Sequence, residues 1–393
     1  MSKSKLKKTN ITLWFTATFL MFMGRAFLYS IWVSRGPDIK KLLTLNNFQY
    51  GEVSMLFPVG GLIAVQFAST AVHKFGSKKI TGIVYSIGAL SLFSVGFAVS
   101  HKNIQLTCIS LFFAGTQMAL ADFVGNYEGN KADKASTKSI FSTIHSAYGL
   151  GMMLAAALGG FSSDHSISIE KNFTYGALII FLCGIYGLFG LPVHENEVVK
   201  LEQKKFLHEQ IKESWQDRRN LIITLVGASF ILAEMSAGTW VPIALTKTGW
   251  TTGRAAFALS FFWVIVTFFR AIGGFIVTAI GRYKTIKYSA LLTVIGLVVF
   301  MATNIISLPY LGLFIWGAGM AIGFPMTVSA MGDDPKTSAA RINMIMSSVY
   351  ITSITVGPLL GSIAQVMGIY FAFSIPVTLS LLAFKLSPIT SEK

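Results

Sequence analysis

The chain has 393 residues, 53% of them hydrophobic and only 12% charged, with a formal net charge of +15 and a mean hydropathy of +0.62. Soluble domains carry about 25% charged residues, and a soluble fold of this composition would have to expose its apolar excess to water. An ordinary soluble enzyme and a disordered chain are both excluded; a polytopic membrane protein is the economical reading.

Lys3, Lys5, Lys7 and Lys8 precede an apolar run that starts at Ile11 and continues to about Ser34 without a small-residue cleavage site. It reads as a retained first helix rather than a signal peptide. Eleven more apolar segments follow, at about 49–72, 80–100, 104–127, 140–162, 173–192, 220–245, 253–277, 286–304, 309–331, 342–365 and 369–388. A spanning helix takes roughly 20 apolar residues, so twelve helices and short loops leave no room for a separate soluble domain. The longest break, 193–219, is charged. It divides the chain into a six-helix bundle over 1–192, a linker, and a second six-helix bundle over 220–393. The stretch 200–219 is basic and amphipathic, which fits either contact with anionic lipid or a solvated linker.

With the N-terminus placed in the cytoplasm, 23 of the 32 lysines and arginines fall on the inner side and 7 on the outer side. The remaining two, Arg25 and Arg270, lie inside helices. This bias predicts that both termini and the linker are cytoplasmic, and it accounts for much of the basic charge without a nucleic-acid partner. Cys108 and Cys183 fall in apolar runs and imply no disulfide framework. The six histidines are scattered, so no metal site is expected, and no nucleotide loop or catalytic triad is visible. Neither a cofactor nor an enzymatic function is expected.

The halves repeat. After the second segment the chain reads Ser69-x3-His73-Lys74-x-Gly76-x-Lys78-Lys79, and after the eighth Gly274-x6-Gly281-Arg282-x-Lys284. Gly76 and Gly281 are 205 residues apart. Gly159-Gly160 closes the fifth segment and Gly357-Pro358-x2-Gly361 lies in the eleventh, with Gly159 and Gly361 202 apart. Two six-helix repeats joined by a cytoplasmic linker resemble the major facilitator superfamily. The loop holding Gly76 and Lys78 is similar to that family's cytoplasmic signature, with His73 at the usual Asp position, and Gly281-Arg282 is its second copy. The resemblance implies that these four residues serve in gating. The fifth helix carries Ala155-Ala156 where the antiporter signature has Gly-Pro, which weighs against export.

A narrower likeness is to the branch of fucose-permease-like transporters and poorly characterised bacterial inner-membrane relatives. It rests on Arg25-x6-Trp32-x2-Arg35-x-Pro37, Asp122-x3-Asn126, His145-x5-Gly151, Glu234-x5-Trp240, Arg270-x2-Gly273-Gly274, and Tyr350 before Gly357-Pro358. It implies a monomeric, multi-pass inner-membrane protein that takes up a small polar solute, often a sugar, with a coupling ion. A proton is the first choice of ion and sodium the second. Export of a metabolite or drug, and a transport-inactive sensor of the same fold, are the rival readings.

An ionisable side chain at mid-membrane usually faces a cavity or a partner. Counted from the outer helix ends at the helical rise, Arg25 and Glu234 lie about 14–17 Å deep, and Asp122, His145 and Arg270 about 26 Å deep. Matching depth and opposite charge pair Arg25 with Glu234, as a substrate site or as a fixed structural ion pair. Asp122 is the coupling candidate, since a carboxylate in low dielectric can bind and release a proton. Arg270 is its expected alternating partner, the other reading being an inner-gate salt bridge. Glu234 is the second candidate for the proton. Asn126, one turn from Asp122, and His145 are candidates for the solute. Trp240, with Trp32 and Tyr29, fits either stacking on a sugar face or anchoring at the membrane interface. Gln117 and Tyr350 fit either cavity lining or helix–helix contact. Gly332-Asp333-Asp334-Pro335 reads as a turn rather than a metal loop.

Overall fold

The computed structural model describes residues 10–136, 140–193, 212–302, 308–334 and 337–391. Most of the linker assigned to 193–219 therefore lies outside the described residues. Twelve helices are long and apolar enough to cross a membrane. They are α1 (Ile11–Ser34), α2 (Asn47–Phe75), α3 (Ser77–Ser100), α4 (Ile104–Ala135), α5 (Phe141–Asp164), α6 (Ile169–Gly190), α7 (Arg218–Lys247), α8 (Thr252–Ile280), α9 (Arg282–Met301), α10 (Leu308–Met331), α11 (Ser338–Val366) and α12 (Ile369–Thr390). The described residues contain no strand.

Local chemistry sets the helix starts. Asn10, Asn103, Ser168 and Asp217 each accept a backbone N–H of the first turn of α1, α4, α6 and α7, as N-cap residues do. The helices α3 and α9 instead start from Gly76 and Gly281, with φ of 82° and 80°. That backbone region is open essentially to glycine alone. A short helix, Gly36–Leu42, follows α1 directly; Pro37 sits in its first turn, where a missing N–H costs nothing.

The chain divides into two compact units. One comprises residues 1–44, 56–198 and 251–260; the other comprises 45–55, 199–250 and 261–393. Both α2 and α8 are thus shared, their first turns grouping with one unit and the remainder with the other. The same helix pairs pack inside each unit. In the first these are α1 with α4, α5 and α6, and α3 with α4 and α6. In the second they are α7 with α10, α11 and α12, and α9 with α10 and α12. Lipid is as apolar as leucine, so close backbone approach rather than apolar burial drives such packing. In the first unit α2 and α4 meet reciprocally: a Cβ at Gly60 would strike the Phe112 carbonyl, and one at Gly115 the Phe57 carbonyl.

Candidate functional site

Successive spanning helices run antiparallel, and every Cα–Cβ bond tilts toward its own helix N-terminus. Arg25 on α1 and Asp122 on α4 therefore lean toward each other, and they form an ion pair through Arg25 Nη1 and Asp122 Oδ1. The guanidinium is buried, while 40% of the Asp122 side chain is open. Arg25 also lies over two aromatic faces, 4.6 Å from the centroid of Phe22 and 4.5 Å from that of Tyr148. This stacking suits a planar, weakly hydrated cation.

Asn126 sits one turn beyond Asp122 and donates Nδ2–H to Asp122 Oδ1 at 3.0 Å and to the Asp122 carbonyl at 2.8 Å. Its Oδ1 lies 2.9 Å from His145 Nε2 on α5. The imidazole packs against Phe22 at 4.6 Å and Phe141 at 4.5 Å. Arg25, Asp122, Asn126 and His145, four residues singled out from the sequence, thus form one cluster inside the first unit.

The second unit holds its own pair. Glu234 on α7 accepts from Arg270 Nη2 on α8 at 2.7 Å, and Arg270 Nε donates to the Ala321 carbonyl on α10 at 3.1 Å. Glu234 is buried and a third of the Arg270 side chain is open. The pairing differs from the expectation, which matched Arg25 with Glu234 and Asp122 with Arg270. Helical rise locates a Cα, whereas an arginine carries its charge at the end of a long stem. The opposed tilt of antiparallel helices closes a depth difference of about two turns.

Trp240 is fully buried, edge-on to Tyr50 at 5.8 Å, and packs as core rather than lining an open surface. Gln117 is also buried, against Gly88. Tyr350 is half-buried on α11. Gly76 and Lys78 occupy the start of α3, with Lys78 half-buried.

Gly281 and Arg282 belong to a denser group. Buried Arg282 donates to both oxygens of Asp333, at 2.6 and 2.8 Å, and its Nε donates to the Thr390 carbonyl at 3.0 Å. Arg219 adds a contact to Asp333 at 3.3 Å. Burial works to raise the Asp333 carboxyl, but hydrogen bonds and charge from Arg282, then Arg219, outweigh it and hold the group below its ordinary value. The sequence reading passed over Asp333 as part of a turn. It also ended the fourth segment at 127, one residue short of Glu128. That carboxylate is completely buried and accepts from Trp14 Nε1 at 2.9 Å and from Ser77 Oγ. The repeat spacing held the signal: Trp14, Ser77 and Glu128 each stand 205 residues before Arg219, Arg282 and Asp333.

A third polar group was not anticipated. Asp38 accepts from Arg35 Nε at 2.8 Å, Ser163 Oγ at 3.2 Å and Thr252 Oγ1 at 2.7 Å, all within the first unit. Buried Arg35 also reaches Asn172 Oδ1 and the Ile167 carbonyl.

A profile of the Major Facilitator Superfamily matches residues 14–358. An uncharacterised MFS-type transporter of Yersinia pestis is 21% identical over 91% of this chain and 90% of its own length. An uncharacterised transporter of Sinorhizobium fredii is 20% identical over 94% and 96%. Among solved structures, a mutant form of the nucleoside transporter NupG matches with a TM-score of 0.81 at 14% identity, covering 97% of this chain and all of that one. A D-xylose–proton symporter matches at 0.74 and 16% identity, covering 96% and 99%. With its twelve spanning helices and its profile match over most of its length, the chain belongs to the Major Facilitator Superfamily and is a multi-pass inner-membrane protein.

Proposed function

We propose that the protein is a proton-coupled symporter that takes up a small neutral polar solute, a sugar or a nucleoside-like relative, by alternating access. The observation that carries this reading is Asp122. It is a carboxylate within an apolar spanning helix, paired to a buried arginine, yet with much of its side chain open. A carboxylate inside a spanning helix that keeps an open side is the kind of group through which a coupling proton enters and leaves. Protonation removes the charge that holds Arg25. The freed guanidinium, with Asn126, then offers hydrogen-bond donors to solute hydroxyls. Loss of the proton restores the pair and expels the solute. Glu234 and Arg270, with Tyr350, supply the corresponding polar groups in the second unit.

The transport cycle rocks the six-helix half 1–192 against the half 220–393, with Gly76, Lys78, Gly281 and Arg282 serving in gating. The distribution of lysine and arginine supports placing both termini in the cytoplasm, and the reading takes a single chain as the working unit. The nucleoside transporter and the D-xylose–proton symporter that share the fold motivate the choice of solutes to test.

The test is solute-driven proton entry into proteoliposomes loaded with a pH-sensitive dye. Pentoses, hexoses and nucleosides are added in turn, with Asp122→Asn in parallel. Acidification driven by one solute class and absent in Asp122→Asn supports the reading. Uptake that follows sodium and moves no proton overturns proton coupling. Solute efflux driven by inward proton flow overturns symport in favour of export.

A further inference from the structure

Five residues of the first unit close a ring. Asp122 meets Arg25, Arg25 lies over Phe22, Phe22 faces His145, His145 meets Asn126, and Asn126 returns to Asp122. Both Nδ2 bonds of Asn126 go to acceptors of Asp122, its carbonyl and its Oδ1. The amide therefore presents its own carbonyl oxygen to α5. An acceptor there requires a proton on the nitrogen it faces, so His145 is held as the Nε2–H tautomer. Both the Arg25 pairing and the Asn126 bond fall on Oδ1 of Asp122.

We propose that His145 is a positioning residue that sets the pH at which Asp122 takes its proton. The inference rests on the reading of Asp122 as the proton site. By donating to Asn126, the imidazole polarises the amide, which strengthens the Nδ2–H bond to Asp122 Oδ1. A hydrogen bond to the charged form favours that form, so the relay keeps Asp122 ionised. A proton added to His145 acts in the same direction. It also places a second cation beside the Phe22 ring already used by Arg25. Besides Arg25 and Asp122 themselves, the titratable groups facing the ring among the described residues include Tyr148 on α5, whose ring lies 4.5 Å from Arg25, and, from α3, the Tyr85 phenol, which donates to the Met21 carbonyl with Cys183 behind it.

The experiment needs no solute. The full-length protein in lipid is titrated between about pH 4 and about pH 10 while the carboxylic-acid stretch is followed by infrared difference spectroscopy. Asp122→Asn identifies the band. His145→Phe keeps the packing on Phe22 and Phe141 and removes the donor; His145→Gln keeps a donor near the Nε2 position and cannot titrate. Asn126→Leu removes the relay by an independent route.

The expected result is a band midpoint roughly 0.3 pH unit higher in His145→Phe, which only depolarises the Asn126 bond, and about one unit higher in Asn126→Leu, which loses that bond to the charged carboxylate. The double variant goes no further than Asn126→Leu, and His145→Gln stays near the original midpoint. An Asp122 band that titrates but does not move in His145→Phe overturns the inference alone. A shift in His145→Gln as large as in His145→Phe also overturns it, because the imidazole's own charge would then be responsible. Absence of any band lost in Asp122→Asn overturns the reading of Asp122 and the inference with it.

Discussion

Glu128 and Asp333 occupy one register of the two repeats, 205 residues apart, and each carboxylate is held by the residue that follows a left-handed glycine. Ser77 follows Gly76 and donates to Glu128; Arg282 follows Gly281 and donates to Asp333. The geometry repeats while the donor chemistry changes, from indole and hydroxyl in one unit to two guanidinium groups in the other.

Removing the carboxylate in the second unit strands a buried guanidinium. Arg282 is 6% exposed and spends two of its bonds on Asp333. Truncating one partner of a buried pair costs about 3 kcal/mol. Asp333→Ala is therefore expected to lower the thermal unfolding midpoint in detergent by several degrees, and Asp333→Glu to recover part of the loss. An unchanged midpoint in Asp333→Ala would show that the pair adds nothing to stability.

The same group gives a pH dependence of definite sign. Asp333 has a folded-state proton affinity below its unfolded value, so its stabilisation is present above the unfolded value of about 3.9 and is lost as pH falls through the folded one. The unfolding midpoint should drop in the acid range below about pH 4, with a smaller acid-range loss in Asp333→Asn. Equal acid sensitivity in the two proteins would assign the effect to other carboxylates.

Gly281 meets no atom at the position where a Cβ would stand, so its substitution isolates backbone strain. With φ at 80° and ψ at 162°, Gly281→Ala is expected to cost about 1–3 kcal/mol. Gly274, helical and equally open, is the control: Gly274→Ala should be neutral or slightly stabilising. The comparison is made by urea or thermal unfolding of the two variants in one detergent.

The two intramembrane pairs should separate by phenotype. Asp122→Asn is expected to abolish gradient-driven accumulation while retaining solute exchange, with a stability cost of its own because the buried Arg25 loses its counter-charge. Glu234→Gln leaves Arg270 without its counter-charge in a largely buried place, and is expected to cost about 2–3 kcal/mol of stability as well as transport. Counterflow and pH-driven uptake, measured side by side on both variants, check this. Full accumulation by Asp122→Asn would move the coupling role elsewhere.

Asp38 offers a test in the first unit. Three donors converge on it, from Arg35, Ser163 and Thr252. Asp38→Asn keeps the shape but turns part of the acceptor into a donor facing a buried arginine. The expected cost is about 1.5–3 kcal/mol, with Thr252→Val costing about 1 kcal/mol because it removes one hydroxyl donor. Thermal unfolding of the two variants decides the order.

Much of the fold was legible because the bilayer imposes one length and one composition on every spanning element. Ile11–Ser34 was read from its apolar run and its flanking lysines, and α1 has those bounds. The end of α4 was not. Its apolar run fades at Glu128, yet the helix continues to Ala135, because that carboxylate is satisfied by Trp14 and Ser77 rather than by water. Hydropathy marks where lipid-compatible letters stop; it is blind to a polar residue whose partners come from 51 and 114 positions away. The short helix Gly36–Leu42 went unseen for the opposite reason: it is too brief for periodicity to register, although Pro37 is a start signal. At the site, residue type identified Arg25, Asp122, Asn126, His145, Glu234 and Arg270, but the partners depended on which way each stem leans. The aromatic faces of Phe22 and Tyr148 over Arg25 gave no sequence signal, since a phenylalanine in an apolar helix reads as any other core residue.

The reciprocal seat of Gly60 and Gly115 on the carbonyls of Phe112 and Phe57 bears on how such a chain can diverge. At exposed positions of the spanning helices such as Phe67 and Phe275, 63% and 80% exposed, the surroundings ask only that the letter be apolar, and many letters answer. At the α2–α4 seam a single methyl group meets backbone that no rotamer change can move aside. The information that specifies this unit is thus unevenly written: thin across the broad outer surface, and concentrated at a few positions defined by the absence of a side chain. A chain built this way can replace most of its outward-facing alphabet and still fold, and its tolerance to mutation should map as a wide permissive skin over narrow, unforgiving lines.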